Sequence, residues 1–269
     1  MNTILAGENV LVVMPTGAGK SLCFQIPALA CDALTIVVSP LVALMEDQVA
    51  ALRLAGVAAE TINSSRDYNI NAASWRRVAA GETRLLYISP ERLMTDRMLA
   101  ALSRLPVALL VVDEAHCISR WGPSFRPEYE GLSRIGAIFP DAAIAAFTAT
   151  ADAATRDDIA GKLFNDQGRI FVAGFDRPNI RLAVEPRGDW KQQLLTFVKD
   201  RAGESGIVYC LSRKKTEEAA SFLSDNGVHA LPYHAGMESS TRNANQEVFM
   251  TEAGAVMTAP ASVMNTSWF

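Results

Sequence analysis

Near the N-terminus the sequence reads Asn9-Val10-Leu11-Val12-Val13-Met14-Pro15-Thr16-Gly17-Ala18-Gly19-Lys20-Ser21. The apolar run predicts a buried strand, and the residues that follow Lys20 have the length and period of a helix. Gly17 and Gly19 permit the backbone dihedrals and the close approach that a loop needs to wrap a polyphosphate. The sequence therefore predicts a strand, a phosphate-binding loop and a helix, in that order.

The loop offers a distinct role to each of its polar groups. Lys20 would neutralise the β- and γ-phosphates, Ser21 would place its hydroxyl on Mg²⁺, and the helix N-terminus would add its partial positive charge. The residues in contact with the nucleotide would be Thr16, Gly17, Ala18, Gly19, Lys20 and Ser21. Met14 stands where the strict phosphate-loop pattern has its first glycine, so a chance surface turn is the alternative for this stretch alone.

A second apolar run, at residues 109–112, ends in the two carboxylates Asp113 and Glu114. Parallel strands bring their carboxyl ends to one edge of a sheet, so Asp113 would hold Mg²⁺, partly through water, and Glu114 would polarise the attacking water. A solvated acidic turn is the alternative for this segment alone. Because the two stretches end strands of one predicted sheet, together they favour a single site for ATP and Mg²⁺.

The chain has 269 residues, of which 49% are hydrophobic and 20% charged, which excludes disordered, collagenous and fibrous proteins. A formal net charge of -4 and a pI near 5.5 give no overall basic field, so nucleic acid would bind in a local groove. The apolar runs are too short for a membrane span and no leader is evident, so we expect a protein of the cytoplasm or bacterial nucleoid. Four scattered cysteines predict buried reduced thiols and no zinc site.

Short β-branched runs alternate with segments of helical period, a pattern typical of βα units around a parallel sheet. The predicted strands lie at residues 10–13, 34–38, 57–62, 84–88, 107–112, 143–147 and 169–172. Predicted helices include residues 20–31, 41–55, 91–103 and 152–164. We therefore predict an α/β fold, with a phosphate-loop domain and a doubly wound parallel sheet over residues 1–174.

Pro178 and its polar neighbours interrupt the alternation, which predicts a linker at residues 175–190. The alternation restarts over residues 191–257, with strands at 206–210 and 228–232 and helices at 190–201, 214–226 and 239–249. An open α/β sheet usually has about four to six strands, so we expect this second domain to be incomplete.

Together these motifs resemble the superfamily 2 helicases and, among them, the RecQ-type DNA helicases. Residues 15–21 are similar to motif I, residues 113–116 to the DEAH form of motif II, and residues 147–151 to motif III. Motifs Ia and Ib, the interdomain linker, motif IV and a later family segment resemble residues 39–49, 87–93, 177–180, 206–216 and 233–237. The resemblance covers about residues 1–257 and implies a RecA-like fold for both domains.

The resemblance also implies roles for residues outside the phosphate loop. His116 would join Lys20, Asp113 and Glu114 in hydrolysis. Nucleic-acid contact and coupling would fall to Ser39, Ser89, Trp121, Phe125, Arg126, Thr148, Thr150, Ser212, Arg213 and His234. Helix capping is the alternative for Ser39 and Ser89, and a structural role is the alternative for His234. We interpret His229 as a surface histidine.

Residues 115–129 are similar to the aromatic-rich loop of the RecQ-type helicases. Trp121 and Phe125 would stack unpaired bases, and Arg126 would reach a phosphate or the γ-phosphate side. Because the loop follows the two carboxylates directly, base stacking there would reposition them; packing of the aromatics on the domain is the alternative. Pro123 and Ser124 stand where the family usually has His-Asp, which puts coupling through that histidine in doubt.

The family also carries an adenine-recognition motif before motif I, motifs V and VI, and a zinc-binding region, none of which the sequence contains. With suitable third bases, codons for residues 244–257, reverse-complemented and read one base out of register, encode Met-Thr-Ala-Pro-Ala-Ser-Val-Met-Asn-Thr-Ser-Trp-Phe, the sequence of residues 257–269. We therefore predict that residues 258–269 are an anomalous tail of antisense origin.

For the parent protein, the resemblance implies an ATP-dependent DNA helicase that couples hydrolysis to 3′ to 5′ translocation on single-stranded and forked DNA. One alternative is that these 269 residues bind nucleotide or DNA without catalysis, because such motors need charge stabilisation from across the cleft. Another is an RNA helicase or a different superfamily 2 translocase.

Overall fold

The computed structural model describes residues 1–119, 126–174 and 179–261, and these divide into two compact units. The first unit holds the described residues up to 174, and the second holds those from 179 onward. Each unit has its own sheet and its own buried apolar cluster, which is what an independent domain requires.

The first unit alternates strands and helices along its described residues. Its strands are β1 (Val10–Val13), β2 (Leu34–Val38), β3 (Ala59–Ile62), β4 (Leu85–Ile88), β5 (Val107–Val112), β6 (Ala143–Thr148) and β7 (Arg169–Val172). Its helices are α1 (Asn2–Leu5), α2 (Lys20–Ala30), α3 (Val42–Leu54), α4 (Tyr68–Ala79), α5 (Pro90–Leu93), α6 (Asp96–Leu102), α7 (Pro127–Glu130), α8 (Ile135–Ile138) and α9 (Ala153–Phe164). Short 3-10 turns occupy Ala115–Ile118 and Gly131–Arg134.

The strands of this unit form one parallel sheet in the order β3-β4-β2-β5-β6-β1-β7. Their carboxyl ends are in register, because Val13 pairs with Thr148 on β6 and Val38 pairs with Val112 on β5. The segments that follow β1, β2, β4 and β5 therefore leave the sheet at the same edge.

Both faces of the sheet are buried around its central strands, whereas the edge strand β7 is exposed. On β5, Leu110 and Val112 belong to one apolar cluster, whereas Leu109 and Val111 belong to another on the opposite face. Helices α2 and α3 cover the second cluster, and α6 and α9 contribute to the first. The predicted α/β class and its doubly wound parallel sheet are confirmed.

The second unit has the strands β8 (Gly206–Cys210), β9 (Ala230–Pro232) and β10 (Val256–Pro260) in the parallel order β8-β10-β9. Its helices are α10 (Trp190–Lys199), α11 (Arg213–Asp225) and α12 (Ser239–Thr251). Where the sequence predicts two strands, the structure has three within residues 179–261, because a short apolar run at 255–257 extends into the predicted tail.

Strand β10 lies in the middle of this sheet, although residues 258–260 belong to the tail that we predict to be antisense. The Thr258 hydroxyl donates to the Thr216 carbonyl at 3.0 Å, and Thr258 is fully buried. These residues contribute to the sheet whatever the origin of their codons. That origin stays a prediction, and residues 262–269 lie outside the described part of the chain.

Two helical segments differ from those expected. The predicted helix at 91–103 is two helices, α5 and α6, because Thr95 caps the second by accepting the Met98 N–H at 3.3 Å. Helix α4 is not among the predicted helices; its N-cap is Asp67, whose side chain accepts the Asn69 N–H at 2.7 Å.

Candidate active site

The phosphate loop joins β1 to α2 at the carboxyl edge of the first sheet. Gly17 and Gly19 have φ angles of 78° and 83°, in the left-handed region that side chains disfavour, and Gly19 is the N-cap residue of α2. The Lys20 ammonium donates to the carbonyls of Met14 at 3.2 Å and Pro15 at 3.4 Å. The loop therefore places a cation and the first N–H groups of an 11-residue helix at one point.

Ser21, the predicted Mg²⁺ ligand of the loop, contacts a residue of the neighbouring helix. Gln48 on α3 donates from Nε2 to the Ser21 Oγ at 3.2 Å. The sequence analysis includes Gln48 in the segment that resembles motif Ia but assigns it no role at the phosphate loop. Its spacing is the one indication in the sequence: Gln48 is a polar residue three positions after Met45 and four before Leu52, and both of these are buried on the inner face of α3.

Asp113 follows the last residue of β5 and is 8% exposed. Its carboxylate accepts the Glu114 N–H at 3.0 Å and the Ser39 hydroxyl at 3.4 Å. Burial, followed by the negative charge of Glu114, raises the pKa of Asp113 to about 6, although the Glu114 N–H, the Lys20 charge and the Ser39 hydroxyl act in the opposite direction. This carboxylate is poorly solvated, so a cation beside it would be strongly favoured.

Glu114, His116 and Thr148 form a contact chain beside Asp113. Glu114 has a φ of 49°, an uncommon conformation for a residue other than glycine. The His116 Nδ1 lies 3.2 Å from the Glu114 Oε2 and 2.8 Å from the Thr148 Oγ1. Burial opposes the charged imidazole, but hydrogen bonds with Cys117 and Glu114 raise the pKa of His116 to about 9. His116, which follows β5, therefore contacts Thr148 at the end of β6.

Thr148 transmits this contact to Thr150 through the backbone. The Thr148 hydroxyl donates to the Thr150 carbonyl at 3.1 Å and accepts the Thr150 N–H at 3.2 Å. Because that hydroxyl proton is used, the hydrogen bond with His116 is donated by the imidazole. The predicted pair Thr148 and Thr150 is thus connected to His116, Thr148 by its side chain and Thr150 by its main chain.

The last residues of the aromatic-rich loop, 126–129, hydrogen-bond to the end of β5 and to the segments beside it. The buried Tyr129 hydroxyl donates to the backbone carbonyl of Asp113 at 3.0 Å, a contact that sequence reasoning missed. Arg126 donates from its backbone N–H to the Cys117 carbonyl at 2.9 Å and from Nη1 to the Pro40 carbonyl at 3.4 Å. Trp121 and Phe125 lie outside the described residues, so their predicted stacking stays a prediction.

Neither Ser39 nor Ser89 caps a helix with its hydroxyl, so the capping alternative is wrong for both. Leu41 is the N-cap residue of α3, and the Ser39 hydroxyl donates to Asp113 instead. Ser89 occupies the N-cap position of α5, but its hydroxyl makes no capping bond and has no hydrogen-bond partner among the described residues. Both serines are buried at the carboxyl edge of the sheet, after β2 and β4.

The predicted residues of the second unit lie around the start of α11. The Ser212 hydroxyl caps this helix by accepting the Lys215 N–H at 3.2 Å, and Arg213 is its first residue. His234 is 3% exposed; its Nδ1 accepts the Gly236 N–H at 3.2 Å, and its Nε2 lies 3.0 Å from the Glu217 Oε1. These contacts support the structural alternative for His234. His229 lies at the surface, as predicted, 3.3 Å from Glu252.

All four cysteines are free, but only Cys117 is buried; Cys23, Cys31 and Cys210 are half-buried, so the expectation of four buried thiols is wrong. Across residues 1–119, 126–174 and 179–261, no three His, Cys, Asp or Glu side chains gather as they would around a metal ion. The same residues contain no helix long and apolar enough to cross a membrane.

Residues 1–159 match the family model of the DEAD/DEAH box helicases, which is more than half of the 269-residue chain. The chain belongs to this family. It is 46% identical over 96% of its length to the ATP-dependent DNA helicase RecQ of Haemophilus influenzae, of which it covers 42%. It is 38% identical over 96% of its length to that of Bacillus subtilis, of which it covers 44%. The predicted resemblance to RecQ-type helicases is confirmed.

The chain spans about two fifths of the length of these curated relatives. Among solved structures, the DUF1998 helicase MrfA bound to DNA and AMPPNP gives a TM-score of 0.70 at 15% identity, over 96% of this chain and 40% of that one. The helicase Lhr of Mycobacterium smegmatis gives 0.64 at 18% identity, over 96% and 38%. At these identities the structural likeness concerns the fold alone.

Proposed function

We propose that this chain carries the ATP site and part of the DNA-binding surface of a RecQ-type DNA helicase. The strongest support is that four residues lie at the same edge of one parallel sheet, after strands β1 and β5: Lys20, Ser21, Asp113 and Glu114. Such an edge is where nucleotides bind in open α/β sheets. Matches of 46% and 44% identity to RecQ proteins support the choice within the family.

Magnesium fits the residues at this edge. Mg²⁺ prefers oxygen ligands and usually keeps several of its waters. The Ser21 hydroxyl and the Asp113 carboxylate supply such oxygens, and the raised pKa of Asp113, about 6, marks a buried charge that a cation would stabilise. When bound, Mg²⁺ would neutralise charge on the phosphates of ATP.

The remaining groups have separate tasks in hydrolysis. The Lys20 ammonium, which donates to two loop carbonyls, would exchange them for phosphate oxygens. Glu114 would accept the proton of the attacking water. His116, with its pKa near 9, stays protonated at neutral pH and donates to Thr148, so a change at Glu114 reaches motif III through one side chain.

DNA would run along the edge that follows β2, β4 and β5. Ser39, Ser89 and Arg126 lie there, and Trp121 and Phe125 fall between β5 and α7 in the sequence. In the second unit, Ser212 and Arg213 are the proposed contacts, whereas the buried His234 has the structural role that its two hydrogen-bond contacts support. We propose single-stranded and forked DNA as the substrate, 3′ to 5′ translocation in the intact protein, and work in the cytoplasm or nucleoid.

The test is binding of a fluorescent ATP analogue by the 269-residue chain in MgCl₂. We expect Lys20→Ala to weaken binding about tenfold or more, because a charge-assisted hydrogen bond contributes roughly 1.5 to 3 kcal/mol. Lys199→Ala, at an exposed lysine that ends α10, is the matched control and should bind as the parent chain does. Equal affinity of Lys20→Ala and the parent chain would refute the assignment of the site.

Turnover measured with single-stranded DNA and with RNA of the same sequence tests the substrate. Stimulation by DNA and not by RNA is expected, because the 2′-hydroxyl distinguishes the two polymers. Stimulation by RNA alone would favour an RNA helicase. Nucleotide binding without any turnover would favour the non-catalytic alternative for this chain.

A further inference from the structure

We infer that Gln48 is a positioning residue for the Mg²⁺ ligand Ser21, an inference that rests on the proposed function of the phosphate loop. Gln48 lies on α3, outside the loop and outside motif II, and its Nε2 donates to the Ser21 Oγ at 3.2 Å. A serine hydroxyl has one hydrogen and two acceptor lone pairs. The amide N–H occupies one lone pair and so fixes the direction in which the other is presented.

The backbone of α3 holds Gln48 in place. Met45 and Val49, which flank Gln48 on the helix, belong to the same buried cluster as Phe24 and Ala28 of α2. Helices α2 and α3 therefore pack on one shared core, and the hydrogen bond between Gln48 and Ser21 joins the two helices. Without the amide, the Ser21 hydroxyl would be free to rotate among the three staggered positions of its side chain.

The other end of the carboxamide is the second observation. The Gln48 Oε1 is buried and has no hydrogen-bond partner within the described parts of the chain. An unpartnered buried acceptor costs free energy, and a water that Mg²⁺ retains is a donor that would satisfy it. The Gln48 Nε2 thus donates to the hydroxyl that would ligate the metal, and the Gln48 Oε1 is available to accept a hydrogen bond from a water on the cation.

This role predicts an effect on magnesium rather than on nucleotide alone. Groups that orient a metal ligand through a hydrogen bond change metal affinity by roughly 10- to 100-fold when removed. MgCl₂ should increase the affinity of the chain for the ATP analogue, and the MgCl₂ midpoint is the concentration that gives half of this increase. For Gln48→Leu we expect the MgCl₂ midpoint to rise about tenfold. Affinity for the analogue in EDTA should stay that of the parent chain, because the phosphate contacts of Lys20 are intact.

The chain contains a matched control for the loss of a glutamine. Gln25, one turn after Ser21 on α2, donates from Nε2 to the buried Tyr87 hydroxyl at 3.0 Å. Gln25→Leu removes a similar amide-to-hydroxyl bond but leaves Gln48 on Ser21. It should keep the parent MgCl₂ midpoint. Gln48→Met gives a second variant of similar length if the leucine does not fold.

The outcomes separate the inference from the function on which it rests. A MgCl₂ midpoint for the Gln48 variants within about twofold of the parent value would overturn the positioning role. So would equal losses of affinity in EDTA and in MgCl₂, which indicate a structural role only. If the parent chain binds no nucleotide, or if Lys20→Ala binds equally well, the proposed site itself is wrong.

Discussion

Asp113 carries its charge where water reaches it poorly, and this has a measurable effect on stability. Because burial raises the pKa of this carboxyl from 3.8 to about 6, folding at neutral pH requires a charge to be desolvated. The destabilisation is complete above the folded-state pKa and decreases as the pH falls from about 6 towards 3.8. Asp113, which the proposed chemistry needs, therefore lowers the free energy of unfolding at neutral pH.

Asp113→Asn should stabilise the metal-free chain by roughly 2 to 3 kcal/mol at pH 8, since one pKa unit corresponds to about 1.4 kcal/mol. At pH 5 the gain should fall to about half, because the folded parent is then mostly protonated at Asp113. Urea unfolding at the two pH values in EDTA measures it. Asp47→Asn, at an exposed position of α3, is the control. A gain that does not change with pH would contradict desolvation of the Asp113 charge as its cause.

At the scale of single elements, β5 is the strand on which both the core and the site depend. It lies at the centre of the first sheet, between β2 and β6, and its last four residues are buried. Its carboxyl end carries Asp113, and the Tyr129 hydroxyl holds that end by its backbone carbonyl. A loss of packing on β5 therefore acts on stability and on the position of the carboxylates together.

Leu110→Ala on β5 should lower the free energy of unfolding by about 2 to 5 kcal/mol, because a fully buried leucine leaves a cavity. Leu54→Ala is the matched control: Leu54 is 91% exposed at the end of α3, and its loss should change stability by less than about 0.5 kcal/mol. Urea denaturation of both variants measures these changes in the free energy of unfolding. Similar losses in the two variants would mean that β5 is not packed as described.

The strands of the first sheet were predictable because each contains a short run of apolar residues, which is mostly buried in β1 to β6 and exposed in the edge strand β7. Strands β1, β2, β5 and β7 begin and end where the sequence places them. Strand β3 begins two residues late, because Gly56 adopts a φ of 77° and the Val57 N–H bonds back to Leu52, which extends the end of α3. The pattern of apolar residues does not predict local turn geometry of this kind.

Within the site, charged and glycine residues were predictable but the groups that hold them were not. Lys20, Asp113 and Glu114 follow from the chemistry that phosphate and water demand. Gln48 and Tyr129 act through side chains that meet the site only after folding, 27 residues from Ser21 and 16 residues from Asp113 along the chain. The sequence indicates at most that Gln48 lies on the inner face of α3, and it indicates neither the partner of Gln48 nor that of Tyr129.

At the scale of the whole molecule, the two units differ in how much apolar surface they bury. The first has large buried clusters on both faces of its sheet, whereas the buried cluster of the second consists of Leu195, Leu223, Ala230 and Val256. Helix α12 has no buried residue, and β8 is only half-buried. Small cores and half-exposed strands give low local stability.

Hydrogen exchange should therefore separate the units. We expect backbone amides of β10, the central strand of the second sheet, to exchange at least about tenfold faster than those of β5, a difference of about 1.4 kcal/mol in opening free energy. Mass spectrometry of the intact chain, with rates corrected for local sequence, measures both strands in one sample. Equal protection of β5 and β10 would mean that the chain opens as one cooperative unit. Faster exchange in β10 alone would locate the weakness in the unit whose central strand includes residues 258–260.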